Sequence, residues 1–223
     1  MITSYTGETH IFSNFPSYNS GRYTIANNNR GSFINEAELD DNRHVLYTNS
    51  SSGGTNRISR YINVNIQSIM SASDLTNALL NARPTAFKIN PHSTNGTPPT
   101  STATLLVGLA NGRLLKLTNA DNVPVWSNIG FNGFVGSISD IEFGQNENEI
   151  FVTMFNYGVN SVWYTSNGGT SWQNKEGNLP DMPVKCILQN PLIPQEVIIG
   201  TELGVWATAD ITVASPVWVP VYN

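Results

Sequence analysis

Thr165-Ser166-Asn167-Gly168-Gly169-Thr170-Ser171-Trp172 decides the fold of this chain. The stretch ends on the middle one of three evenly placed tryptophans, Trp126, Trp172 and Trp218, whose two gaps are both 46 residues (172 − 126 and 218 − 172). Even spacing of so large an aromatic marks a repeated supersecondary unit, and a period of about 40–50 residues is that of propeller blades. Inside the stretch, the Asn167 side chain is suited to bond back to backbone amides and fold a hairpin. Glycines beside it permit positive φ. The indole that follows is expected to pack between neighbouring sheets, where it buries a large area.

Working outward, each unit reads as the same series of short strands. One unit runs Thr85–Ile89, Thr104–Leu109 and Arg113–Leu117, ending near Trp126. The next runs Ile138–Phe143, Glu149–Met154 and Ser161–Tyr164, ending at Trp172. The last runs Val184–Leu188, Glu196–Thr201 and Gly204–Thr208, ending at Val217-Trp218-Val219. These runs are rich in Val, Ile, Leu and aromatics and are punctuated by Gly, Asn and Pro. The second run of each unit is the most continuously apolar, as expected of a strand buried on both faces. Small residues at its end, Gly108 and Gly200, fit close approach of a neighbouring sheet. Ala110-Asn111-Gly112 reads as a tight hairpin turn.

A degenerate first unit holds Ser32–Asn35, His44–Thr48 and Arg57–Ile62, with Leu80 in the place of the tryptophan. Around it, Ser73–Ala82 reads either as a short helix capped by Ser73 and stopped before Pro84 or as an irregular loop. Residues 1–30 read as loop plus one strand, and His92–Thr102 as a polar surface insertion. The expected architecture is therefore all-β: a β-propeller with about four visible blades of four-stranded antiparallel sheet, at approximately 31–83, 84–130, 131–178 and 179–223.

Composition narrows the functional classes. Charged residues are 12% of the chain and the net charge is −5. The seven Arg and four Lys are scattered, which argues against an electrostatic grip on nucleic acid. No 18-residue apolar run provides a membrane span. Met1–Tyr5 lacks the charged start and apolar stretch of a signal peptide, so an exported parent protein would need a leader that these residues do not supply. Cys186 has no partner for an intrachain disulfide, and alternation in Val184–Leu188 is expected to bury it as a small apolar residue.

The turn stretch fits the Asp-box pattern, Ser/Thr-x-Asp-x-Gly-x-Thr/Ser-Trp, with Ser166, Asn167, Gly169, Ser171 and Trp172 as its members and Asn167 at the Asp place. With Gly158–Tyr164, Glu176–Val184 and Gly200–Trp206, the chain over about residues 30–223 resembles secreted propellers related to sortilin and to the xyloglucanase glycosidases. It is most similar to large exported bacterial proteins described as photosystem-assembly-factor-like or sortilin-like. The resemblance implies a structural staple at the box, a secreted or cell-surface parent, and a further strand series after the last unit. On that reading the chain is part of a longer propeller, and how the ring closes is left open.

Catalysis has few candidates. A glycosidase needs two carboxylates about 5–9.5 Å apart across a sugar. Asp40, Asp41, Asp140 and Glu142 are available, and Asp140 stands out because its counterpart in the last unit reads as Lys185. Nothing around them matches the xyloglucanase catalytic segments. A sialidase arginine triad is not evident among Arg22, Arg30, Arg43, Arg57, Arg60, Arg83 and Arg113. His10, His44 and His92 lack zinc spacing, and no phosphate loop or nucleophile elbow is present, so no cofactor or metal is expected. The leading expectation is a non-catalytic propeller module that binds protein or carbohydrate through Phe131, Phe134, Phe155 and Tyr157. A xyloglucanase-like hydrolase with Asp140 or Asp41 as its acid is the alternative, and a structural spacer the third. Open propeller edges also favour self-association.

Overall fold

The computed structural model describes residues 2–5, 8–12, 22–27, 29–93 and 102–221. They form five antiparallel sheets in which sequence neighbours are also spatial neighbours. The first is three-stranded, β1 (Ile2–Tyr5), β2 (Glu8–Phe12) and β3 (Arg22–Asn27). Four four-stranded meanders follow, and the molecule is a β-propeller segment with these as its blades. Blade 1 holds β4 (Ala37–Asp40), β5 (Val45–Asn49), β6 (Ile58–Ile62) and β7 (Ser71–Leu75). Blade 2 holds β8 (Pro84–Ile89), β9 (Thr104–Leu109), β10 (Leu114–Thr118) and β11 (Val125–Asn128). Blade 3 holds β12 (Ile138–Phe143), β13 (Ile150–Met154), β14 (Val162–Thr165) and β15 (Gln173–Asn174). Blade 4 holds β16 (Val184–Gln189), β17 (Val197–Thr201), β18 (Gly204–Thr208) and β19 (Trp218–Pro220).

The core lies between sheets. Val45, Tyr47 and Ile58 of blade 1 pack on Phe87, Leu105 and Val107 of blade 2. Leu106 and Leu114 on the other side of blade 2 pack on Ile138, Ile141 and Val152 of blade 3. Phe151 and Val162 then pack on Ile187, Val197 and Ile199 of blade 4. The three tryptophans fall into these three cores in turn: Trp126 against the first, Trp172 against the second and Trp218 within the third. Trp172 and Trp218 share one further bond. Their Nε1–H groups donate to the carbonyls of Ile129 (2.9 Å) and Lys175 (3.0 Å), each 43 residues earlier. Burying an indole removes about 200 Å² from water, roughly 5 kcal/mol gross, several times the net value of that hydrogen bond. The aromatic, not its N–H, therefore accounts for most of the stabilisation.

The turn before Trp172 closes on Asn167. Its Oδ1 accepts from the Ser171 amide (2.9 Å) and its Nδ2 donates to Ser171 Oγ (2.9 Å). Thr165 Oγ1 donates to Asn167 Oδ1 (2.8 Å) and accepts from the Gly169 amide (3.2 Å).

Four sequence expectations change. Ser32–Asn35 is not a strand: Asn35 Oδ1 accepts from the Ser32 amide (2.9 Å) and closes a turn, and the first strand of blade 1 is Ala37–Asp40. Ser73–Ala82 holds neither a helix nor only a loop: Ser71–Leu75 is the outer strand of blade 1, paired with β6. The free edge of β6 supplies backbone partners, and Asp74 accepts from Ser59 Oγ (2.9 Å) and Arg30 (2.8 Å), so tertiary pairing overrides local capping. Residues 1–30 hold three paired strands instead of one. Strands this short carry little local signal, and their pairing to one another specifies them. Cys186 is exposed, not buried. A bulge between Val184 and Cys186 shifts the alternation and turns the thiol to the open side of blade 4. The same bulge places Cys186, not Lys185, opposite Gly200, in the register at which Asp140 lies opposite Thr153. Most of the His92–Thr102 insertion lies outside the described residues.

Gly108 admits a side chain of the next blade. A Cβ built there would stand 2.4 Å from Ile138 Cγ2. Its counterpart Gly200 faces only the end of the Cys186 side chain, with Sγ 2.6 Å from such a Cβ. Gly108→Ala is therefore expected to destabilise by about 1–3 kcal/mol, and Gly200→Ala by distinctly less. Urea unfolding of the two variants checks this; equal losses would contradict the blade-contact account.

Candidate binding face

Three of the four acids suggested by the sequence, Asp40, Asp140 and Glu142, are structural links. Asp40 is buried and its Oδ2 accepts from Arg43 Nη1 (2.9 Å). Arg43 also reaches Asp121 (3.6 Å) and the Ser93 carbonyl (3.0 Å), joining blades 1 and 2. Asp41 lies exposed on the adjacent turn. Asp140 Oδ2 accepts from the Ile187 amide of blade 4 (2.9 Å), and Glu142 Oε2 accepts from Lys88 Nζ of blade 2 (2.6 Å). Glu38, which local reading overlooks, accepts from the Ile89 amide of blade 2 (2.9 Å). Each blade-to-blade junction is thus crossed by a first-strand charge. Glu38, Lys88 and Glu142 share one register, opposite Tyr47, Leu106 and Phe151. Alignment of the repeats would have found them, because the same position is charged three times.

Burial pushes Glu38 and Asp140 above the ordinary carboxylate values, and their amide hydrogen bonds only partly offset it. Burial pulls Lys88 down, but the Glu142 hydrogen bond and the surrounding carboxylates outweigh it and leave the ammonium raised. Both effects fit charges held for packing between blades. Among the described residues, no group of three His, Cys, Asp or Glu side chains is placed to hold a metal ion.

A different region gathers accessible recognition groups. In an antiparallel meander, the loops after the second and fourth strands lie at one end of the sheets. At this end stand the 129–137 and 175–183 connections, the 155–161 loop and the Glu202-Leu203 turn. Phe155 and Tyr157 are exposed on the 155–161 loop. Lys185 Nζ sits 5.9 Å from the Phe155 ring centroid and 3.8 Å from Glu202. Glu202 in turn accepts from Tyr157 Oη (2.9 Å). That hydrogen bond holds the phenol in its protonated form and raises its pKa. The four side chains form a linked row, Phe155–Lys185–Glu202–Tyr157, across blades 3 and 4.

Beside it is a cleft of about 500 Å³ lined by Val135, Val159, Asn160, Glu176, Leu179 and Asp181 among others. Asp181 accepts from the Gly158 amide (2.6 Å) and Glu176 from the Ser161 amide. Burial raises the Glu176 carboxyl despite that bond. Gly136, at φ 94°, lets the 129–137 connection turn tightly against Asn156, whose Oδ1 accepts from the Ser137 amide (2.7 Å). Phe131 is exposed and leans on Trp163, with ring centroids 5.3 Å apart. Phe134 is not a surface contact. It is buried against Trp163 (5.4 Å) and Trp172 (4.9 Å), because the turn folds it under Phe131 into the space between blades 2 and 3. Of the four aromatics expected to be accessible, three are.

No family model matches the sequence, and no curated protein matches it. Solved structures do match the fold. A functionally unknown protein from Desulfotomaculum acetoxidans DSM 771 aligns at 11% identity with a TM-score of 0.62, over 98% of this chain and 64% of that one. A chain of the Mitotic Checkpoint Complex aligns at 13% identity and 0.64, over 98% and 62%. An ancestral GH74 enzyme aligns at 19% identity and 0.62, over 87% of this chain and 24% of that one. The chain thus spans less than two thirds of the length of each of these three structures. At these identities the likeness is one of fold, shared with proteins of quite different description.

Proposed function

We propose that the chain is the non-catalytic recognition part of a β-propeller protein of Asp-box type, exported or displayed at a bacterial cell surface, which binds protein or carbohydrate at the loop end. The observation that carries this reading is the Phe155–Lys185–Glu202–Tyr157 group, an ordered pair of exposed aromatics next to a cleft with two carboxylates. Ordered aromatic faces stack on sugar rings or on aliphatic and cationic side chains at little entropic cost. The bonding of Asn167, Thr165 and Ser171 supports the Asp-box reading of the turn, and the fold likeness to a GH74 enzyme is compatible with it. Asp140, the leading acid offered for hydrolysis, is engaged between blades instead, which weighs against a glycosidase. On this reading β-glucan hydrolysis is absent from the protein and unaffected by Asp140→Asn.

A glycan array and a peptide array probed with the protein are expected to yield a ligand. Phe155→Ala with Tyr157→Ala is expected to weaken it about 10-fold or more, at roughly 1 kcal/mol per lost contact. Binding unchanged in the double variant, or none above background on either array, would sink the proposal.

The Glu38 and Asp140 carboxyls give a separate test by pH. Their folded pKa values lie above the unfolded ones, so their contribution to stability is complete below about pH 4 and is lost as pH rises through the folded values. Wild type is therefore expected to gain stability relative to Glu38→Gln and Asp140→Asn as pH is lowered from about 7 to about 4. Unfolding curves with the opposite trend would show that charge attraction, not burial, governs these groups.

A further inference from the structure

Asn-Gly pairs occur at Asn95, Asn111, Asn132 and Asn167. In such a pair the asparagine is open to attack by its own backbone, because glycine puts no Cβ beside the amide nitrogen that follows. The attack has two requirements. The carboxamide must be free to turn its Cγ onto that nitrogen, and the N–H must not be held by another acceptor. Asn95-Gly96 lies outside the described residues. The other three pairs all sit in turns, and they differ in both requirements.

Asn167 is held at every point. Its Oδ1 accepts from Thr165 Oγ1 and the Ser171 amide, its Nδ2 donates to Ser171 Oγ, and the Gly168 amide donates to the Asn148 carbonyl (2.9 Å). Asn111 is held at both ends of its carboxamide. Its Nδ2 donates to Asn81 Oδ1 (3.1 Å) and its Oδ1 accepts from the Arg113 amide (3.4 Å). The amide that would attack it belongs to Gly112, which is buried at φ 80° and donates to the Leu109 carbonyl (3.1 Å).

Asn132 is different. It is exposed on a turn that the Phe134 amide closes onto the Phe131 carbonyl (3.0 Å). Among the described residues, neither the Asn132 carboxamide nor the Gly133 amide has a hydrogen-bond partner. The glycine is required there for packing, since a Cβ at Gly133 would stand 2.3 Å from Cε1 of the Phe131 ring. The fold thus keeps the reactive pair together while holding neither of its reacting groups.

We infer that Asn132 is a self-modification site, at which the folded chain converts its own asparagine to aspartate and isoaspartate. The Gly133 nitrogen, after losing its proton to solvent base, attacks Cγ of Asn132. The new N–C bond closes a succinimide, the Cγ–Nδ2 bond breaks, and the nitrogen leaves as ammonia. Water then adds to either ring carbonyl and opens the ring, so the net change is water consumed and ammonia released, with no oxidation. Opening at one carbonyl gives aspartate. Opening at the other routes the main chain through Cβ and gives isoaspartate. Either product adds one negative charge to the net −5 of the chain. Residue 132 lines a cleft of about 200 Å³ that Arg113 shares and another of about 300 Å³ that Trp172 shares, so the new carboxylate arises beside Phe131. The reaction needs no ligand and does not depend on the recognition reading.

Incubation of the protein at mildly alkaline pH, where more of the amide nitrogen is deprotonated, tests this. Peptide mapping by mass spectrometry reads the change from amide to acid at each asparagine. In the folded protein Asn132 is expected to convert about 10-fold faster than Asn111 or Asn167, or more, because those two must first break at least one hydrogen bond by local opening. In concentrated urea the three rates are expected to converge, since each asparagine is followed by glycine and no fold protects any of them. Conversion at Asn132 that is absent, or no faster than at both other sites, would overturn the inference. So would an Asn132 preference of the same size in urea, which would place its cause in the neighbouring sequence and not in the fold.

Discussion

Apolar contact between successive sheets is what the rest of this molecule depends on. No blade has two buried faces of its own; β9 and β13 are buried on both sides only because a neighbour lies on each. A four-stranded meander with one uncovered apolar face is marginal by itself, so stability accrues by stacking, as in other repeat proteins. The tryptophan at the outer strand serves that contact. Leu117 pairs with Trp126 and Thr208 with Trp218, while Trp172 precedes Gln173 beside Thr165, so the three indoles share one register. A bulky ring at the outer strand fills the widening wedge between sheets that diverge from a common axis.

Near the axis the wedge narrows and the chemistry changes. There Gly108 removes a side chain to admit Ile138, and charged first-strand residues cross the gap. Lys88 and Glu142 face each other, and Glu38 and Asp140 each spend an oxygen on a backbone amide of the next blade. Burying a carboxylate is costly unless it is hydrogen-bonded, and the bonds these acids make are what permit them there. The features that suggested an active site, non-repeating acids at an axial position, are therefore also those of a junction.

The groups proposed for recognition lie where packing makes no demand. The 155–161 loop and the Glu202-Leu203 turn contribute nothing to the inter-blade cores except Val159, which leaves Phe155, Tyr157 and Glu202 free to be arranged for contact. Their order comes from one another, through Lys185. Phe134, a few residues from Phe131 in an equally polar connection, shows the limit of reading such loops. The two rings have the same local sequence character, and only the position of Trp163 and Trp172 beneath them decides which is covered.

By itself the sequence determined the repeat, the strand series of blades 2 to 4, the Asn167 turn and the blades in which the three tryptophans sit, because periodic aromatics and turn residues act within one unit. Tertiary structure alone decided the rest. The β6 edge turned Ser71–Leu75 into a strand, and a bulge exposed Cys186. Partners about 50 residues away fixed the roles of Glu38, Asp140 and Glu142. Those outcomes depend on what a neighbouring sheet offers across a gap of a few ångströms, and no pattern along a single strand carries that information.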